Sequence, residues 1–152
     1  MPSKLTSTLV TESAVINAPI SEIWPLIQLK NFQNFFIGIS KTEILPSDDI
    51  QPEIIRWTFD DGTVLDVKEE EYSNLKNCMS FHIVQCRPWG LPYTNVLSTI
   101  RLYPITSRAA EGGTFVQWSG QYTADADEEA VNDGRVKRRE ALGFLADAVE
   151  KH

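Results

Sequence analysis

Positive charge, cysteine and histidine are scarce in this sequence, and long apolar runs are missing. Lys and Arg number 14 against 21 Asp and Glu, a net charge of −7 and a pI of about 4.8. Such a chain has no global attraction for nucleic acid or for an anionic membrane surface. No stretch approaches the roughly 20 apolar residues of a membrane span, so no stable membrane insertion is expected. Met1 to Thr8 carries a single basic residue and no apolar run, which excludes a secretory signal there. The two cysteines, Cys78 and Cys86, fall in what reads as one strand. Eight residues at about 3.3 Å each put them about 26 Å apart, beyond disulfide reach. Free thiols suit a reducing, cytoplasmic setting. The histidines are His82 and His152, and no Cys, His and carboxylate cluster has metal-ligand spacing. Phosphate-cradling glycine loops and nucleophile elbows are also missing, so no cofactor and no metal are expected.

What is present suits one domain over residues 1–152. Hydrophobic residues make up 42% and charged residues 23%, close to the globular average, which excludes wholesale disorder. Four Trp, four Tyr and seven Phe are a generous aromatic share. Thr8 to Ile16 reads as a strand. Pro19 to Ile27, with Pro at the first turn, predicts a short helix, and Asn31 to Phe36 a second helical turn. Strands follow at Ile39 to Leu45 and, after a polar loop Pro46 to Pro52, at Glu53 to Phe59. Asp61-Gly62 is a tight-hairpin signal leading into Val64 to Ser73. Cys78 to Cys86, Asn95 to Tyr103 and Gly113 to Ala124 complete the strands. Asp125 and Glu128 then form a capping-box variant opening a helix of about 25 residues, roughly 37 Å long. Val131, Leu142, Leu145 and Val149 share one stripe of it, flanked by Ala141 and Ala146. One long helix is the only element able to cover the greasy face of such a curved antiparallel meander, and a hollow between them can take a small ligand.

Particular residues accompany this order. Ile16-Asn17-Ala18-Pro19-Ile20-Ser21-Glu22-Ile23-Trp24 opens the chain, Ser80-Phe81-His82-Ile83-Val84 stands mid-chain with Leu91-Pro92 after it, and Gly113-Thr114-Phe115-Val116-Gln117-Trp118 precedes the long helix. Together they resemble the START-like superfamily of helix-grip proteins, which includes the birch pollen allergen, the plant abscisic-acid receptors and the polyketide cyclase/dehydratase family. The resemblance implies an α+β helix-grip fold: about seven antiparallel strands curved around a long C-terminal helix, with two short helices after the first strand. It also implies a pocket for a small hydrophobic or amphipathic molecule, such as a lipid. Where the hormone receptors carry a ligand-binding lysine, Phe32-Gln33-Asn34-Phe35 offers only Gln33 or Asn34. Pro88-Trp89-Gly90-Leu91-Pro92 takes the latch position with different chemistry. The cyclase/dehydratase branch is therefore the nearer match.

Alternation assigns the inward faces. Val116, Trp118, Gly120 and Tyr122 face in on the last strand; Val96, Ser98, Ile100 and Leu102 on the one before; Met79, Phe81, Ile83 and Gln85 on the mid-chain strand, with His82 outward; and Trp57 and Phe59 on Glu53 to Phe59. Val64 to Ser73 admits two registers, one burying Val64, Asp66 and Lys68, the other Leu65, Val67 and Glu69. The first is favoured, with the Asp66 carboxylate in the pocket. Phe36, Gly134, Ala141 and a possible lid residue, Trp89, complete the expected ligand contacts.

Arg138 is the anomaly: it lies about 20° from Val131 and Val149 on the helical wheel, almost central in the apolar stripe. An unpaired buried guanidinium costs roughly several kcal/mol. Arg138 must therefore reach solvent, pair with a carboxylate such as Asp66, or meet an anionic or carbonyl-bearing ligand. Arg135, Lys137 and Arg139 beside it suggest a locally positive entrance. Three functions follow. The first is a binder or carrier of a small hydrophobic or amphipathic molecule. The second is a cyclase- or dehydratase-type enzyme, with Asp66 as general base, Tyr122 as proton donor and Arg138 as oxyanion stabiliser. The third is an interaction module whose hollow is filled by its own side chains. Nothing in the sequence sets an oligomeric state.

Overall fold

Leu9–Ile16 forms the first strand, β1, with Val10 and Ile16 buried and Leu9, Thr11 and Ser13 exposed. This is the alternation of a strand with one covered face. The structure is a computed structural model that describes residues 8–46 and 53–150. The loop expected over Pro46 to Pro52 lies beyond Pro46 outside the described residues, as do residues 1–7, Lys151 and His152.

After β1 the expected helix from Pro19 to Ile27 is shorter than predicted. Helix α1 spans Ile20–Ile23, and Pro19 stands outside it in extended backbone. Pro25 supplies no backbone N–H, and the chain continues as a tight 3₁₀ turn at Trp24–Leu26. The next helical segment is also 3₁₀, at Leu29–Asn34, where a turn from Asn31 to Phe36 was expected.

Six strands then run as a meander: β2 (Ile39–Ile44), β3 (Ile54–Phe59), β4 (Val64–Ser73), β5 (Cys78–Arg87), β6 (Val96–Pro104) and β7 (Thr114–Tyr122). The sheet order is β1-β7-β6-β5-β4-β3-β2, antiparallel throughout, so β1 returns to pair with β7. Asp61-Gly62 makes the β3–β4 turn as predicted, with Gly62 at φ 90. Cys78 and Cys86 lie in one strand and are free thiols.

Two irregularities in the β4–β5 ladder decide which side chains face inward. Asp66 pairs with Gln85 while Val67 pairs with Ile83, so Val84 is an extra residue on β5. A bulge of this kind bends the strand and changes its alternation. Gln85, expected inside, therefore stands opposite Asp66 and is exposed. The favoured register of β4 is also corrected. Val67 is fully buried and Leu65 packs against the core, which puts Asp66 on the outer face. There it receives two bonds from Arg56, Nε at 2.7 Å and Nη2 at 3.0 Å, and a third from Arg87 at 3.5 Å. This clamp leaves Asp66 only 5% exposed.

Helix α2 spans Glu128–Val149, 22 residues, shorter than predicted at both ends. Its cap is Asp127, whose carboxylate accepts from the Ala130 backbone N–H at 2.8 Å. Asp125 instead ties down the loop before β6: its two oxygens accept from the Thr94 and Thr123 hydroxyls at 2.7 and 2.6 Å. The helix lies along β1 and β7 and buries Val131, Arg138, Ala141, Leu142, Leu145 and Val149. At its far end Glu150 accepts the Asn17 backbone N–H at 2.9 Å.

Candidate functional site

Phe32 is fully buried at the centre of an aromatic cluster. Its ring stacks on Trp57 at 4.9 Å and meets Phe81 and Trp118 edge-on at 5.9 Å each. The Trp57 indole N–H donates to the Leu29 carbonyl at 2.8 Å, which fixes the whole group. Trp57, Phe81 and Trp118, three rings expected to line the hollow, are therefore packed around a residue that sequence reasoning left out. Ala141 is buried in the same cluster. The signal for Phe32 was its place in a run with Phe35 and Phe36 on the 3₁₀ segment, where three rings close together must find a core.

The rest of the apolar interior is different. Phe36 reaches from the end of the 3₁₀ segment to Phe59 on β3 and Phe144 on α2, at 6.0 and 5.9 Å. Phe36, Phe59, Leu65, Ile83 and Phe144 are all large, apolar and only partly buried against the core. Ile83 joins this group to a second, smaller cluster of Val10, Val96, Tyr122, Ala126 and Val131, against which Tyr93 also packs.

Arg138 sits in that second region, 8% exposed. Nη1 donates to the Tyr122 hydroxyl at 2.8 Å and to the Gly134 carbonyl at 3.0 Å, and Nη2 donates to Ser98 Oγ at 3.0 Å. Nε is buried without a partner. The guanidinium carbon lies 5.5 Å from the centre of the Tyr122 ring, a cation–π contact that recovers part of the lost hydration. Every partner is neutral. Among the described residues no carboxylate comes within 4.0 Å of Arg138.

Two glycines make the seat. A Cβ on Gly120 would collide with the Arg138 guanidinium, and one on Gly134 with the Tyr122 hydroxyl. Gly134 costs the helix about 1 kcal/mol relative to Ala, and Gly120 interrupts an otherwise large-residue strand face. Gly120 was visible in the sequence as an inward glycine, but nothing there gave it a role. Tyr93, which meets Tyr122 edge-on at 5.0 Å, was missed because its loop has no periodicity. Burial pushes its phenol up to about 12, the nearby Tyr122 adding to the shift and Arg138 opposing it.

The basic residues around Arg138 have ion-pair partners of their own. Glu12, on the inner face of β1, takes both Arg135 at 3.9 Å and Arg139 at 3.1 Å. Lys137 lies 3.9 Å from Asp133. Arg138 is thus the one buried cation of this stretch, beside exposed cations that two carboxylates only partly offset. Trp89 stands outward on its loop, 92% exposed. His82 lies on the outer face and its Nδ1 is 2.6 Å from Glu70.

A separate cleft of about 330 Å³ opens near the β3–β4 side, lined by Gln28, Leu29, Lys30, Glu53, Ile55, Glu69 and Tyr72. Burial, reinforced by Glu53, raises the Glu69 carboxyl above its usual range. Among the described residues no group of three or more His, Cys, Asp or Glu could hold a metal, and no helix is long and apolar enough to cross a membrane.

No family model matches the chain, and no curated protein matches it significantly. Solved structures do. An uncharacterised protein from Bacillus thuringiensis superposes with a TM-score of 0.76 at 23% identity, over 92% of this chain and 97% of its own. The protein XoxI from Bacillus cereus gives 0.75 at 22%, over 93% and 94%. Ara h 8.0201 gives 0.68 at 14%, over 91% and 95%. The chain therefore has the helix-grip fold that its sequence resembles. At these identities the likeness carries the architecture and leaves the chemistry to the residues.

Proposed function

We propose that this protein binds a small amphipathic molecule between the sheet and α2, as a carrier or binding protein. The observation that carries the reading is the half-buried apolar group Phe36, Phe59, Leu65, Ile83 and Phe144, set beside a packed core and joined through Ile83 to the Tyr122 cluster that holds Arg138. A filled core would bury such side chains completely; their remaining exposure suits an apolar guest. The paired rings around Phe32 limit the guest to the Arg138 end of the space. Two free cysteines suit a reducing, cytoplasmic compartment.

The cyclase- or dehydratase-type alternative keeps part of its support. Tyr122 and Arg138 are hydrogen-bonded at 2.8 Å and could serve as proton donor and oxyanion stabiliser. Its general base is gone, because Asp66 is clamped on the outer face by Arg56 and Arg87. No other carboxylate of the described residues reaches this pair.

Native mass spectrometry of the purified protein tests the binding reading. A retained small molecule, or saturable uptake of an added amphiphile, is the expected result. A chain that retains nothing and takes up nothing would be the interaction module instead.

A further inference from the structure

We infer that Arg138 receives the anionic end of the bound molecule, and that the ligand class is an apolar body ending in a carboxylate. This rests on the ligand-binding reading and adds the chemistry of the ligand's head. A guanidinium has five N–H donors. Three go to the Tyr122 hydroxyl, the Gly134 carbonyl and the Ser98 hydroxyl. The Nε hydrogen and a second hydrogen on Nη2 are left, on adjoining nitrogens of one planar fork. Tyr122 and Ser98 both accept from Arg138, so the proton of each hydroxyl is still available to a ligand. The three acceptors at the site, the Gly134 carbonyl and the two hydroxyl oxygens, are already engaged by Arg138. Four remaining donors and a buried positive charge converge, which is the complement of a carboxylate.

The shape of the donor set selects a carboxylate: the free Nε and Nη2 hydrogens lie side by side in one plane, and a planar two-oxygen head meets them with two parallel bonds. Arg135 and Arg139 share the one carboxylate of Glu12, and Asp133 lies beside Lys137, so this stretch of α2 keeps a net positive charge that favours an anion. Two glycines clear the room that the guanidinium and the phenol occupy.

Calorimetric titration of the full chain with decanoate, methyl decanoate and decanol tests the inference. The wild type should bind decanoate at least about tenfold more tightly than its ester or alcohol, as a desolvated charge-assisted pair requires. Arg138→Met should bring the three affinities together. Tyr122→Phe, which keeps the ring in place, should weaken decanoate roughly threefold or more and the ester less. If wild-type protein binds all three alike, the carboxylate assignment falls and the amphiphile reading stands. If it binds none of them and purifies without a guest, both fall.

Discussion

Gly134 and the Tyr122 hydroxyl occupy adjoining space so closely that a single methyl on the glycine would displace the phenol. The usual gain from replacing a helical glycine by alanine, about 1 kcal/mol, is therefore reversed at this position. Gly134→Ala should lower stability by about 1–3 kcal/mol, the range for overpacking a filled site. Gly143 is the control. It lies on the same helix with nothing within 4 Å of its would-be Cβ. Gly143→Ala should raise stability by about 0.5–1 kcal/mol. Urea unfolding of the two variants, read side by side, gives opposite signs if the steric account is right.

Arg138 adds little net stability to the ligand-free chain. Its burial without a counter-ion costs roughly several kcal/mol, and its three charge-assisted bonds return about 1.5–3 kcal/mol each. Arg138→Met should therefore leave the melting temperature of the ligand-free chain within a few degrees of the wild type's. Saturating decanoate should raise the wild type's melting temperature by more than the variant's, because the wild type binds it more tightly. Thermal melts with and without decanoate show both effects.

Asp66 gives the complementary case. Its carboxylate holds Arg56 and Arg87 on the outer face, away from the space beneath α2. Asp66→Asn should lower the melting temperature and leave ligand affinity unchanged. A drop in ligand affinity with an intact fold would return Asp66 to the site.

Asp125 predicts an acid limb. Its bonds from Thr123 and Thr94 pull its carboxyl down to about 2. A depressed value stabilises the fold fully above the unfolded value near 4 and loses that contribution as pH falls toward 2. Asp125→Asn should therefore be less stable than the wild type at neutral pH, with the gap closing between about pH 4 and pH 2. Thermal melts across that window measure it.

The succession of elements along the chain and the inward faces of β6 and β7 were legible, the latter because their side chains alternate without interruption from Val96 to Leu102 and from Val116 to Tyr122. The Arg138 anomaly was legible for the same reason: periodicity makes a charge on an apolar stripe visible. Asp66 and Gln85 were misplaced because the extra residue Val84 shifts the alternation, and a bulge leaves no composition signal. The aromatic wall was read as pocket because alternation gives the face of a ring and not what lies opposite it. Phe32 arrives from another element and fills that space. The cap moved from Asp125 to Asp127 because both precede the helix, and Thr94, 31 residues away in sequence, claims the first.

The pairing of β1 with β7, Leu9 against Gln121 through Ile16 against Thr114, also orders the events of folding. The first strand has no partner until the last has been made, about a hundred residues later. During synthesis it waits as an unpaired edge with Val10 and Ile16 uncovered, while the meander from β2 to β7 can zip by neighbouring hairpins. Loop closure over that distance makes this the slow, high-contact-order step. The strand that completes the sheet is therefore the one most open to pairing with a neighbouring chain before its own end emerges.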